Sequence, residues 1–226
     1  MENFQDSKNM ITIIPEDGLC NYLRVVFSYY KYTRENNLKL NVIWIKTDSC
    51  PGYFLDYFED IPDANFKKNI DKDVKIDYKG CYIMKNYQPN YDKLKLKSHI
   101  KKIIFDKLDT LNRNYISVHI RRTDHISGAK NNNSYTEDED LINFLNKYDN
   151  NKNIYIATDN EITYNKFKKI YQNRIKLDYH KTNNNSLRKT SLQDAIIDIY
   201  MCVYSEEFYG SGWSSFSTLI KMLRML

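Results

Sequence analysis

The chain has 226 residues, 42% of them apolar and 28% charged, which is enough to close a hydrophobic core and too apolar for a disordered polymer. Its net charge of +5 is the difference between 34 basic and 29 acidic residues, a near balance that does not mark a nucleic-acid binder. No apolar run reaches the roughly 18 residues of a membrane span, and no signal-peptide core opens the chain, so a cytoplasmic protein without a membrane span is expected.

A β-rich apolar run at residues 11–14 stops at Pro15. Leu19, Tyr22, Leu23, Val26, Phe27 and Tyr30 then recur at helical spacing and predict a helix over 19–36. A second strand is expected at 40–45, giving a βαβ unit and a parallel sheet. Residues 47–89 are less regular, with Pro51-Gly52, Pro62 and Gly80 as punctuation. Leu96, Ile100, Ile103, Ile104, Leu108 and Leu111 draw the apolar line of a helix over 91–111. A linker near Asn112-Arg113-Asn114 is expected to divide the chain into domains 1–112 and 113–226. In the second domain, strands at 115–120, 154–157, 175–177 and 207–209 alternate with helices over 137–148, 162–171, 192–204 and 215–226. Four successive β-α units describe a Rossmann-like domain with a parallel sheet.

The lysine-, asparagine- and isoleucine-rich composition is what an A/T-rich genome imposes, so lysine is a poor functional signal and each arginine a better one. Cys20, Cys50, Cys81 and Cys202 lie far apart with no C-x-x-C spacing, which argues for reduced thiols and against a zinc site.

Parallel sheets bind ligands beyond the carboxyl ends of their strands. His119-Ile120-Arg121-Arg122-Thr123-Asp124 stands at one such end. Alternation puts His119 and Arg121 on one face and Ile116, Val118 and Ile120 on the other. Guanidinium forks match phosphate oxygens and stay charged at any working pH, so these residues make a phosphate cradle; the alternative is an internal ion pair of Asp124 with Arg122. The last β-α turn reads Gly210-Ser211-Gly212-Trp213-Ser214-Ser215-Phe216-Ser217. Glycines, hydroxyls and a helix start together suit an anion, although Ser214 or Ser215 would also serve as an ordinary N-cap. Thr158-Asp159-Asn160 ends another strand, where Asp159 either accepts from a base or sugar or caps the next helix. Gly18, Asn21 and Arg24 put polar groups at the start of the first helix. Asp71-Lys72-Asp73 reads as a solvated turn, and no histidine–carboxylate cluster has metal spacing.

Gly18-Leu19-Cys20-Asn21-Tyr22-Leu23-Arg24 resembles the amino-terminal glycine-rich motif of GDP-fucose-dependent fucosyltransferases. The His119–Asp124 stretch resembles their arginine motif, especially that of α1,6-fucosyltransferases and the nodulation enzymes. Thr158-Asp159, and then Asp194 to Ser217 with Asp198 and Ser214-Ser215-Phe216-Ser217, resemble the remaining two motifs in order and spacing. The resemblance implies a GT-B-like α/β fold: two Rossmann-like domains with parallel sheets and a cleft between them. It implies a metal-independent, inverting transfer of fucose from GDP-fucose, a nucleotide-sugar donor, to a glycan acceptor, with no cofactor and no nucleic acid. Arg121 would hold the β-phosphate, His119 would lie against the nucleotide, and Ser214, Ser215 and Phe216 would line the pyrophosphate and ribose. Asp124 or His125 would be the general base. Asn160 stands where core-type enzymes often carry a second aspartate to read guanine. Transfer of another nucleotide sugar, or nucleotide-sugar or glycan binding without catalysis, is the alternative reading.

Overall fold

A computed structural model describes residues 9–72, 74–123, 126–179 and 191–226. The chain divides into two compact units, Met1–Lys97 and Ser98–Leu226.

In the first unit, β1 (Met10–Pro15), α1 (Leu19–Glu35), β2 (Lys39–Ile43), α2 (Phe54–Tyr57), β3 (Ala64–Lys67) and β4 (Tyr78–Gly80) follow in order. The strands form a parallel sheet in the order β3-β2-β1-β4. The expected βαβ unit is β1-α1-β2. Two short strands in the stretch that reads as irregular complete the sheet; neither β3 nor β4 buries enough of its side chains to show alternation in sequence. An aromatic cluster closes one side of this core. Trp44, Phe54 and Phe58 are buried, and Phe54 stacks on Phe66 with centroids 4.1 Å apart.

The second unit opens with α3 (Ser98–Thr110). This helix starts later than the spacing predicts, because Tyr91, Leu94 and Leu96 are buried from turns and Leu96 pairs with Phe58 in an isolated bridge. There follow β5 (Tyr115–Ile120), α4 (Ile126–Asn131), α5 (Asp138–Leu145), β6 (Asn153–Thr158), α6 (Glu161–Tyr171), a 3-10 turn, α7 (Leu192–Val203), β7 (Phe208–Gly210) and α8 (Ser215–Leu223). The sheet is parallel, in the order β6-β5-β7.

The expected strand at 175–177 does not form. Ile175 is buried, but its carbonyl accepts from the Lys168 ammonium and that of Leu177 from the Tyr164 hydroxyl at 2.6 Å. Side chains of α6 thus take the place of a neighbouring strand. The expected α/β class with parallel sheets otherwise holds.

The middle strand, β5, fixes the geometry that follows. Ile116, Val118 and Ile120 enter a core with Leu141, Leu145, Ile154 and Phe167. The alternate residues carry polar groups to the other face: the Tyr115 hydroxyl donates to the Met201 carbonyl at 2.6 Å, and Ser117 Oγ meets Ser205 Oγ at 2.7 Å. His119 is the next residue on that face.

Candidate active site

Ser211 stitches the end of β5 to the loop before α8. Its N–H donates to the His119 carbonyl at 2.9 Å, its hydroxyl donates to the same carbonyl at 3.1 Å, and it accepts from the Arg121 N–H at 3.0 Å. His119 Nδ1 lies 2.8 Å from Ser217 Oγ, and its ring stacks on Phe216 with centroids 4.4 Å apart. Burial, with the Arg121 charge nearby, lowers the His119 pKa to about 3. The imidazole is therefore neutral at working pH and adds no charge to an anion cradle. The two glycines of this loop serve close approach within the chain: a Cβ at Gly210 would fall 2.6 Å from Ser217 Oγ, and one at Gly212 would fall 2.0 Å from the Ser134 carbonyl oxygen.

The two arginines differ. Arg122 turns inward, with Nη2 donating to Asp138 Oδ1 at 2.7 Å and to the Thr136 carbonyl at 2.9 Å. Nη1 donates to the Arg121 carbonyl at 3.1 Å, and the guanidinium lies over the Tyr135 ring. Its fork is committed to holding the loop, so the ion-pair reading fits Arg122, with Asp138 as partner. Arg121 is half-buried at the rim of a small pocket that it shares with Tyr135, Ser211, Gly212 and Trp213. Asp138 and Thr136 are not apparent as site residues in sequence, being separated from Arg122 by a variable loop.

Asp159 faces that loop too. Its Oδ1 accepts from the Arg122 N–H at 3.0 Å and its Oδ2 from the Thr123 hydroxyl at 2.5 Å. Thr158 donates to the Ile120 carbonyl at 2.7 Å, and Asn160 caps α6 by accepting from the Thr163 N–H at 2.8 Å. These three residues position the strand ends.

At the start of α8, Ser214 occupies the N-cap without making a side-chain capping bond. Its hydroxyl is buried and has no partner. Such a group costs free energy unless something accepts from it or donates to it. Ser215 and Phe216 follow in the first turn, where backbone N–H groups lack intrahelical acceptors and favour an anion.

An open pocket lies at the outer edge of β6, lined by Thr158, Tyr164, Asp178, Tyr179, Asp194 and Asp198 among others. Asp198 accepts from the Tyr155 hydroxyl at 2.5 Å, and burial raises its pKa to about 7. The Asp178 side chain is 91% exposed.

Gly18, Asn21 and Arg24 belong to the first unit. The Gly18 carbonyl accepts from the N–H groups of Asn21 and Tyr22, Asn21 Nδ2 donates weakly to Asp17 at 3.4 Å, and Arg24 Nη2 donates to the Cys81 carbonyl at 2.7 Å. Asp124 and His125 lie outside the described residues, as does Asp73; Asp71 pairs with Lys67 at 2.5 Å. Among the described residues, no group of three or more His, Cys, Asp or Glu could hold a metal ion, and no helix is long and apolar enough to cross a membrane.

The GDP-fucose protein O-fucosyltransferase family model matches residues 45–226. No curated protein sequence matches the chain. The structure is similar to that of NodZ α-1,6-fucosyltransferase soaked with GDP-fucose, at a TM-score of 0.66 and 12% identity over 95% of this chain and 92% of that one. Fucosyltransferase NodZ from Bradyrhizobium matches at a TM-score of 0.62, again with 12% identity and coverage of 95% and 92%. POFUT1 in complex with GDP-fucose matches at a TM-score of 0.62 and 10% identity, over 97% of this chain and 95% of that one. Sharing their fold and matched by the family model over most of its length, the chain belongs to the GDP-fucose protein O-fucosyltransferase family of glycosyltransferases.

Proposed function

We propose that the chain transfers fucose from GDP-fucose to a glycan hydroxyl with inversion and without a metal ion. The observation that carries this reading is the buried, unpartnered Ser214 hydroxyl at the start of α8, in the same loop that Ser211 ties to the Arg121 backbone. In one displacement the acceptor oxygen bonds to the fucosyl C1, the bond from C1 to the β-phosphate oxygen breaks, and GDP leaves with the electron pair. The acceptor proton passes to Asp124 or His125, which follow Arg121 in the chain. Arg121 and the N–H groups opening α8 supply the positive field that stabilises the departing diphosphate. A fixed, preorganised field of this kind does the work that a metal would otherwise do.

Guanine presents N1–H and N2 amino donors and needs an acceptor to read them. Asp159 and Asn160 already accept from the chain. Asp178, exposed at the β6-edge pocket, has an open carboxylate and is the guanine reader under this proposal. The family's description favours a second acceptor, a protein hydroxyl; the donor chemistry is unchanged. Incubation with GDP-fucose, EDTA and either a chitin oligosaccharide or a Ser/Thr-containing folded domain tests the reading. Transfer to the glycan in EDTA is expected; absence of both transfer and GDP release with any acceptor contradicts it.

A further inference from the structure

The chain has two tryptophans. Trp44 is buried, whereas Trp213 is 52% exposed although it adjoins the polar groups of the site. A large aromatic surface left in water among polar residues marks a place where a ligand docks. The indole is also held in place. A Cβ at position 128 would fall 2.0 Å from Cζ3 and 2.8 Å from Cη2 of Trp213, so the glycine there admits the benzo edge of the ring. The Trp213 backbone has φ 49, a left-handed conformation that costs a bulky residue free energy. Gly212, just before it, is anchored by an N–H bond to Thr136 Oγ1 at 2.9 Å. The side chain borders the same small pocket as Arg121 and Ser211, one residue before the unpartnered Ser214 hydroxyl.

We infer that Trp213 is the platform for the donor's sugar ring. A sugar esterified to a phosphate held at the start of α8 lies within reach of the preceding side chain. Fucose is a 6-deoxy sugar, so its C–H face and methyl group supply apolar surface that suits the electron-rich indole face. The inference rests on the GDP-fucose reading and deepens it: the diphosphate is held by Arg121 and α8, and Trp213 distinguishes the sugar attached to it.

Calorimetric titration of wild type, Trp213→Ala, Trp213→Phe and Gly128→Ala with GDP and with GDP-fucose tests this. Trp213→Ala is expected to weaken GDP-fucose roughly tenfold, the scale of one aromatic contact, while GDP binding stays within about twofold. Trp213→Phe recovers most of the loss, and Gly128→Ala, which displaces the indole without altering it, weakens GDP-fucose selectively. In the unaltered protein, acrylamide quenching reports mainly on the exposed Trp213, and GDP-fucose should shield it more than GDP does. Equal losses for both ligands, or none, together with equal shielding would overturn the inference. A selective rise in acceptor KM with unchanged donor binding would overturn it too, moving the platform to the acceptor. If wild type binds neither GDP nor GDP-fucose, the donor reading itself fails, and this inference with it.

Discussion

Arg122 Nη2 and Asp138 Oδ1 meet at 2.7 Å, with the arginine side chain 10% and the aspartate side chain 27% exposed. Lys166 approaches the other carboxylate oxygen at 2.6 Å. This pair assigns different tasks to two adjacent arginines: Arg122 holds the loop, and Arg121 stands at the pocket rim. Asp138→Asn should therefore destabilise the protein by roughly 2 kcal/mol, because it leaves a largely buried guanidinium without its counter-charge. Chemical denaturation checks this value, with kcat per folded molecule expected to change little.

Arg121→Ala should behave in the opposite way. Loss of one group that stabilises charge in the transition state costs about 3 kcal/mol, roughly a hundredfold or more in kcat. The melting temperature should stay close to that of wild type. Unchanged turnover would remove Arg121 from the leaving-group role. Arg121→Lys should recover only part of the activity, since an ammonium keeps the charge and loses the planar fork.

Ser214→Ala should separate stability from binding. Removing a buried hydroxyl that has no partner relieves an unsatisfied group, so stability should hold or rise by about 1 kcal/mol. GDP affinity should fall, because the hydroxyl and its position at the helix start belong to the phosphate site. A parallel loss of stability and affinity would mean that the hydroxyl is part of the fold alone.

The central strand and the helices after it are legible because their signals are local. Alternation along 115–120 reports a strand buried on both faces, and the hydroxyls and glycines of 210–217 report a special turn. The partners that decide roles are distant in sequence and leave no such trace. Nothing near Arg122 announces that Asp138 and Thr136 will take its donors, and a short apolar run at 175–177 reads as a strand until α6 side chains claim its carbonyls. The placing of Asp159 is similar: a carboxylate at a strand end can face a ligand or a neighbouring loop, and here it accepts from Arg122 and Thr123.

Asp198 gives a pH signature. Burial raises its pKa from 3.8 to about 7 in the folded chain, and unfolding restores the ordinary value. Between those values the native state keeps a proton that the unfolded chain has lost. Its contribution is full below about pH 4 and is lost as pH rises through about 7, at about 1.4 kcal/mol per unit at the steepest. Asp198→Asn keeps an acceptor for the Tyr155 hydroxyl and does not titrate. Relative to wild type, it should become progressively more stable from pH 4 to pH 7, as read from denaturation midpoints at several pH values. A constant difference across that range would contradict the buried, protonated carboxyl.

Asp178→Asn should weaken GDP while sparing UDP, since guanine's donors lose their charged acceptor and uracil never used it. A charged hydrogen bond of this kind is worth roughly 1.5–3 kcal/mol. Calorimetry with both nucleotides separates base reading from a general electrostatic effect, which would favour the variant for both.

The central claim, a guanosine diphosphate site built at the end of β5 and the start of α8, is tested most directly by a thermal-shift panel. Wild type, Arg121→Ala and Ser214→Ala would be melted with GDP, UDP and dTDP at matched concentrations. GDP should raise the wild-type melting temperature more than UDP or dTDP, by mass action on the native state, and should do so less in both variants. Equal or absent shifts for all three nucleotides, or a GDP shift that survives both substitutions intact, would contradict it.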